Sequence, residues 1–364
     1  MGQKTLLNKR KLTGRVIYAL PVAFIIITLY IPLFKILSAG INLNFFSSII
    51  NSTYYRKIIS FTFYQATISS LLSVAVAIPG AYFISRYDFP GKKLFLSLSS
   101  LPFVLPSILT VLGFVLLFGN NGVINRALMD IFNLNNPPLR ILYSLKAVLL
   151  AHIFYNFPLA IRIISSVWHK IPNQHYEASY SLGANRIRTF FKITLPYLIP
   201  PIFTSLTLIF LYCFMSFGII LILGGGPTLS TIEVEVYRFA RISLNIEKAA
   251  SLSFIESTIT IAVLFFYLKN DKKNKNLPLN SGTTKKLTKK MGVVLALYLI
   301  PLGLIILAPL ITIVVQSFLY KSGFSTNNQI SLHWYKSLFG TLQNRFTLTA
   351  LMAIKNSLIL GFST

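Results

Sequence analysis

Long runs of apolar residues, separated by short polar stretches, set the expected elements of this chain. The runs lie near residues 16–37, 60–85, 94–118, 143–166, 197–222 and 249–268, with two more near 292–316 and 348–364. A helix of roughly 20 residues crosses the ~30 Å hydrocarbon core of a bilayer, and these runs have that length. The pattern predicts an all-α, polytopic transmembrane helical bundle. About six helices belong to residues 16–268 and about two to residues 291–364. Pro102 and Pro106 are expected to kink the third helix.

The polar stretches divide the chain further. A basic segment, residues 1–15, precedes the first run, and a basic linker, KNDKKNKNLPLNSGTTKKLTKK, occupies residues 269–290. On either side of that linker the sequence shows signs of a repeat. Tyr18–Ala19–Leu20–Pro21 opens the first span, Tyr298–Leu299–Ile300–Pro301 lies early in the seventh, and each span holds a later Pro-Leu pair (Pro32–Leu33 and Pro309–Leu310). Two homologous halves are expected, the second one incomplete, because the last run reaches Thr364 before it is comfortably finished.

Composition agrees with a membrane protein. The 364 residues are 54% hydrophobic and only 12% charged, whereas a soluble domain carries about a quarter of its residues as charges. The net charge of +26 could suggest a nucleic-acid partner. Its placement argues against one, since the Lys and Arg residues flank apolar runs, where they orient helices and meet anionic lipid headgroups. With the N-terminus cytoplasmic, the inner segments hold 20 basic residues and the outer ones 10. The expected location is therefore the cytoplasmic (inner) membrane, multi-pass, with the N-terminus inside. The first run is too long for a signal-peptide core and reads as a retained helix.

Candidate chemistry is sparse. The single cysteine, Cys213, excludes an intrachain disulfide, and the four histidines lack metal-ligand spacing. His152 lies inside an apolar run and reads as a hydrogen-bonded core residue. No Ser/His/Asp or Cys/His constellation is recognisable, so the chain is not expected to be an enzyme, and neither a metal nor a cofactor is expected on it. No G-x-x-x-x-G-K-[ST] is present either, so any ATP must be hydrolysed elsewhere. Glu256 falls within the sixth run, and an ionisable residue in a span is a candidate for the translocation pathway; a hydrogen bond to a nearby Ser or Thr is the structural alternative. Glu233 and Glu235 read as surface acids, while Arg162 and Lys35 reach the interfaces.

The most informative polar stretch is residues 172–196, which contains YEASYSLGANRIRTFFKITLP. Pro172 and Asn173 mark a helix start, with Asn173 able to cap it. Gly183 suits a tight turn with positive φ, and Asn185 can cap a second helix bearing Arg186, Arg188 and Lys192. Pro196 ends that helix and starts the next span. The expected product is a rigid, partly apolar knob outside the membrane, of a kind that another protein could grip.

Glu177, Ala178, Gly183, Ile193, Leu195 and Pro196 stand at the spacing E-A-A-x3-G-x9-I-x-L-P, with Ser179 in place of the second Ala. This resembles the cytoplasmic loop of binding-protein-dependent ABC importer permeases of type I. The resemblance implies that the loop docks into a cleft on a separate ATP-binding cassette subunit, present as a dimer. Glu177 would then make polar contacts, Ala178 and Ser179 would allow close approach, and Gly183 would turn the chain. ATP and Mg would sit on that partner, and its closure would rock the helices into alternating access. The segment Gly224–Ser253, with Thr231, Glu233, Glu235, Tyr237 and Ala249–Ala250, is similar to the outer loop of double-length ferric iron or thiamine permeases, and Arg86–Lys93 extends that likeness.

Ferric iron or thiamine is accordingly the expected cargo, delivered by an extracytoplasmic binding protein. A double-length permease carries a second such loop, which this chain lacks, so the expectation includes a missing second half, a self-dimer, or a non-functional fragment of a split permease. From another class, an ion-gradient-driven secondary transporter would need no docking knob and would usually bury more acids.

Overall fold

The computed structural model describes residues 19–40, 49, 51–226, 229–274, 284–320, 329–339 and 345–363. Helix dominates. Among the described residues seven helical segments are long and apolar enough to cross a membrane: Ala19–Ile36, Thr53–Arg86, Ser107–Phe132, Leu145–His169, Arg186–Phe214, Ile246–Lys269 and Lys289–Ser317. The last apolar stretch, Ala350–Ser363, is shorter than a span. The basic N-terminal segment, residues 1–15, lies outside the described residues, as do residues 275–283 of the linker.

In chain order, a π-turn at Ile26–Tyr30 leads into α1 (Ile31–Gly40), followed by α2 (Thr53–Arg86). Three pieces come next, α3 (Lys92–Leu98), α4 (Leu101–Val104) and α5 (Ser107–Phe118), and then α6 (Val123–Phe132). The expected third span, 94–118, is thus broken and not merely kinked. Pro102 and Pro106 remove two backbone donors, and Leu105, ahead of Pro106, turns extended at ψ 137°. The candidate span shifts to Ser107–Phe132.

Next come α7 (Leu145–His169), α8 (Asn173–Ser181) and α9 (Arg186–Thr189). A second π-turn, Phe190–Thr194, joins α9 to α10 (Leu195–Phe214). After α11 (Gly218–Leu223) and α12 (Ile232–Tyr237) the chain enters α13 (Ile246–Asn274). It ends with α14 (Lys289–Ser317), a small antiparallel pairing of β1 (Leu319–Tyr320) with β2 (Gln329–Ile330), α15 (His333–Phe339) and α16 (Arg345–Ser363).

Pro196 does not end a helix, contrary to expectation, because α9, the π-turn and α10 run on as one rod. The π-turns at Ile26–Tyr30 and Phe190–Thr194 each stand one residue ahead of a proline, whereas a third, Arg238–Ile242, is followed by none. Ile31 N bonds back to Ile26 O just before Pro32, and Leu195 N to Phe190 O just before Pro196. The extra residue in the turn lets a helix absorb a ring that cannot donate.

The described residues form two compact units. One contains α1, α2 and α7–α13, and the other α3–α6 and α14–α16. In the first, α2 packs most extensively on α7, with α10 against both. The buried stripe of α2 is small: Ala66, Ser69, Ser73, Ala77 and Ala81. Small side chains let two helix backbones approach closely where no hydrophobic effect drives them together. Facing helix α7 buries Ala147, Val148, Ala151, Phe154, Ala160 and Ile161.

A polar chain crosses this apolar core. Ser69 Oγ lies 2.8 Å from His152 Nδ1, and His152 Nε2 lies 3.0 Å from Ser216 Oγ, just past the end of α10. Gln65 Nε2 donates to Cys213 O at 2.8 Å, and Asn156 Nδ2 donates to His152 O at 2.8 Å. His152 is therefore a hydrogen-bonded core residue, as its position in an apolar run led us to expect.

In the second unit α5 packs on α14. Gly113 makes that approach close, since a Cβ there would fall 2.9 Å from both Cβ and O of Pro309. Asn125 anchors the far end, donating to Gly119 O and Leu139 O at 2.8 Å each and accepting from Leu139 N at 2.9 Å. Gly113→Val should force these helices apart and destabilise the unit by roughly 1–3 kcal/mol, as overpacking does. Thermal unfolding in detergent checks this, with a lowered midpoint as the expected result.

Candidate functional site

The polar stretch between α7 and α10 folds as a two-helix knob. α8 ends in a tight turn in which Gly183 takes φ +79°. There Gly183 N donates to Tyr180 O at 2.9 Å, and Ala184 N donates to Ser179 O at 3.1 Å. These two bonds form a Schellman closure, which satisfies the last carbonyls of a helix and demands a left-handed residue at the position of Gly183. No atom would crowd a Cβ at Gly183, so the constraint there is φ and not space.

Asn185 caps α9 as expected, its Oδ1 accepting from Arg188 N at 2.8 Å. Asn173 does not cap α8. The cap position falls on Pro172, and Asn173 is the first helical residue. Its Oδ1 accepts instead from Arg86 Nη1 at 3.5 Å.

The predicted loop residues divide into inward and outward sets. Ser179 is buried, with Oγ 2.6 Å from Thr189 Oγ1, which also donates to Asn185 O at 3.0 Å. This bond holds α8 against α9. Glu177, Ala178 and Gly183 are exposed, Ile193 and Leu195 are half-buried at the root of the knob, and Pro196 is exposed. The outer surface is more apolar than a water-facing surface needs: Leu182 is 88% exposed, Ile187 69% and Phe191 59%. Exposed apolar side chains of this size are suited to a protein partner.

Sequence reasoning missed several residues at this site. Thr189 and Thr194 are buried within the knob, and Arg86, the last residue of α2, places its guanidinium carbon 4.0 Å from the Tyr176 ring centroid. A basic residue closing an apolar run was visible in the sequence, but nothing there set it opposite Tyr176.

At the other polar end of the first unit, α12 packs against α13. Glu235 is not a surface acid; it is 2% exposed. It accepts from Arg238 Nη1 and from Ser230 Oγ, each at 2.8 Å. That bond to Glu235 holds the Arg238 guanidinium above its ordinary range. Burial follows from the neighbouring anchor, where Ile232 N donates to Thr62 Oγ1 of α2 at 3.1 Å and pulls α12 onto the bundle.

Glu256 is 6% exposed on α13, with Glu233 as its acidic neighbour. Gly225 and Gly226 adopt φ of +78° and +102° where the chain leaves α11, and Pro227 lies outside the described residues. Among the described residues no group of three or more His, Cys, Asp or Glu is placed to hold a metal ion.

Comparison with known proteins bears on this geometry. Residues 73–276 match the family described as binding-protein-dependent transport system inner membrane component. The chain is 35% identical over 197 residues to the thiamine transport system permease protein ThiP of Brucella abortus (strain 2308), covering 54% of this chain and 36% of that protein. It is 30% identical over 263 residues to the ThiP of Salmonella typhimurium (strain LT2), covering 68% of this chain and 46% of that one. The chain therefore spans less than half the length of either relative. A solved bacterial ABC transporter involved in the import of the acidic polysaccharide alginate shares the fold, with a TM-score of 0.61 at 18% identity over 73% of this chain and 96% of that one.

The cap at Asn185 is expected to account for about 1 kcal/mol of local stability in the knob. Asn185→Ala should raise hydrogen–deuterium exchange at the amides of α9 by roughly five-fold while leaving α7 unchanged.

Proposed function

Because the chain belongs to the binding-protein-dependent transport system inner membrane component family, whose members are transport subunits and not enzymes, we propose that it works in an ATP-driven importer of thiamine. In this reading an extracytoplasmic binding protein delivers the cargo, and a separate pair of ATP-binding cassette subunits supplies the work. A second permease half, on this or another chain, presents the matching knob to the second ATP-binding subunit. Thiamine is preferred to ferric iron because the most similar relatives described above are thiamine permeases by name.

The observation that carries the coupling is the knob itself. Leu182, Ile187 and Phe191 form an exposed apolar surface, Glu177 stands free at the family position, and the Ser179–Thr189 bond with the Gly183 turn makes the unit stiff. A stiff knob transmits displacement to the helices at its roots, α7 and α10, which are packed on α2. Closure of the ATP-binding subunits would shift those helices against their neighbours, the rigid-body form of alternating access. Glu256, buried beside Glu233 on the packed face of α13, is proposed as a pathway residue.

Purification with the cognate ATP-binding subunit tests the joint. The native chain should retain it, and a Glu177→Lys, Gly183→Pro variant should insert normally yet lose it. Retention by both would remove the loop from the joint. The inward placement of the knob has its own test, helped by the single cysteine. In a Cys213→Ser background, Asn280→Cys in the basic linker should resist an impermeant maleimide in intact cells and react after permeabilisation. Labelling in intact cells would put the knob on the wrong side for any ATPase.

A further inference from the structure

The helices attached to the knob by backbone are α7 and α10, and α2 reaches it by side chains. The contact is made by Arg86, the last residue of α2, whose guanidinium lies over the Tyr176 ring at 4.0 Å while Nη1 donates to Asn173 Oδ1 at 3.5 Å. Asn173 and Tyr176 are three residues apart on α8 and so share one face of it. Thr194 Oγ1, on the π-turn leading into α10, donates to the hydroxyl of the same tyrosine at 3.4 Å. One ring thus joins the end of α2 to the root of α10.

The neighbouring residue reinforces the arrangement. Ser85 O lies 3.1 Å from His169 Nδ1 at the end of α7, and Tyr82, one turn back on α2, packs its ring 5.5 Å from Trp168. The ends of α2 and α7 are therefore held together, while Arg86 reaches past them onto the knob. A planar guanidinium can stack on an aromatic face and still donate in its own plane, which the point charge of a lysine cannot do.

We propose that Arg86 is the positioning residue that delivers the knob's displacement to α2. The inference rests on the coupling role proposed above. α2 is the helix with most to gain from such a grip: it is 34 residues long, packs most extensively on α7, and carries Gln65 and Ser69 of the buried polar chain. Without Arg86, α8 would move with α7 and α10 alone. α2 would then follow only through its packing on α7, and the part of the displacement that Arg86 carries would be lost. ATP would still be hydrolysed, because the docking surface of Leu182, Ile187 and Phe191 would be untouched.

The test uses the assembled importer in proteoliposomes, this chain with its ATP-binding subunits and second permease half, measuring thiamine uptake and ATP hydrolysis on the same samples. Arg86→Ala and Tyr176→Leu are each expected to retain the ATP-binding subunit and to hydrolyse ATP within about two-fold of the native rate. Each should lose roughly five-fold or more of uptake, the size of a typical coupling between sites. The double variant should lose no more than Arg86→Ala alone, because that variant has already removed the contact with Tyr176. Tyr176→Phe, which keeps the ring, should keep uptake.

Uptake and hydrolysis falling in parallel would overturn the proposal, as would additive losses in the double variant or native uptake by Arg86→Ala. Should Arg86→Ala fail to insert, Tyr176→Leu against Tyr176→Phe decides by the same ratio of hydrolysis to uptake. A native chain that retains no ATP-binding subunit would instead overturn the proposed function, an outcome separate from any result on Arg86.

Discussion

A polar side chain in hydrocarbon has no water to turn to, and the core of the first unit is arranged around that constraint. His152 contacts hydroxyls on both sides of its ring, Ser69 on α2 and Ser216 beyond α10. Neutral imidazole has one donor and one acceptor nitrogen, so two hydroxyls, each able to play either part, satisfy it completely. Gln65 turns the same requirement to use at the end of α10, where the helix stops and the carbonyl of Cys213 takes an amide N–H from α2. The surrounding contacts are small residues on α2 against α7, which let the backbones approach closely enough for these short side chains to meet. Remove the small stripe and the polar chain could not close.

Outside this core the knob follows a different logic. It is short, and its two helices are too brief to be stable by themselves. Its order comes from local closure: a Schellman turn at Gly183, a side-chain cap at Asn185, and the buried Ser179–Thr189 bond. These bonds occupy the inward face and leave the apolar outer face free. The π-turn ahead of Pro196 keeps the knob continuous with α10 in spite of the proline. A displacement at the tip of α9 therefore acts on a rod that runs to Phe214.

The acids near α12 show how local anchoring changes the character of a residue. Glu235 belongs to a polar segment that would be water-exposed as an isolated loop. The bond from Ile232 N to Thr62 Oγ1 seats α12 on the bundle, and Glu235 is buried with Arg238 and Ser230 as its partners. A buried carboxylate with both a charged and a neutral donor avoids the cost that an unpaired charge would carry.

Much of the molecule could be read from composition and spacing. Runs of about 20 apolar residues leave a helix as the natural way to satisfy the backbone in lipid, and the segments expected at 60–85, 143–166 and 249–268 lie within Thr53–Arg86, within a few residues of Leu145–His169, and within Ile246–Lys269. The knob was equally legible, because positive φ at Gly183 and capping by Asn185 depend on nearest neighbours alone. What needed the tertiary structure was every contact between distant segments. The partners of His152 lie 83 and 64 residues away, Arg86 meets Tyr176 across α7, and Ile232 N reaches Thr62 Oγ1 170 residues back. Hydropathy reports how much of a helix must avoid water but not which face meets which helix. The rotation and depth of each span are decided by packing, and packing exists only once the helices are together.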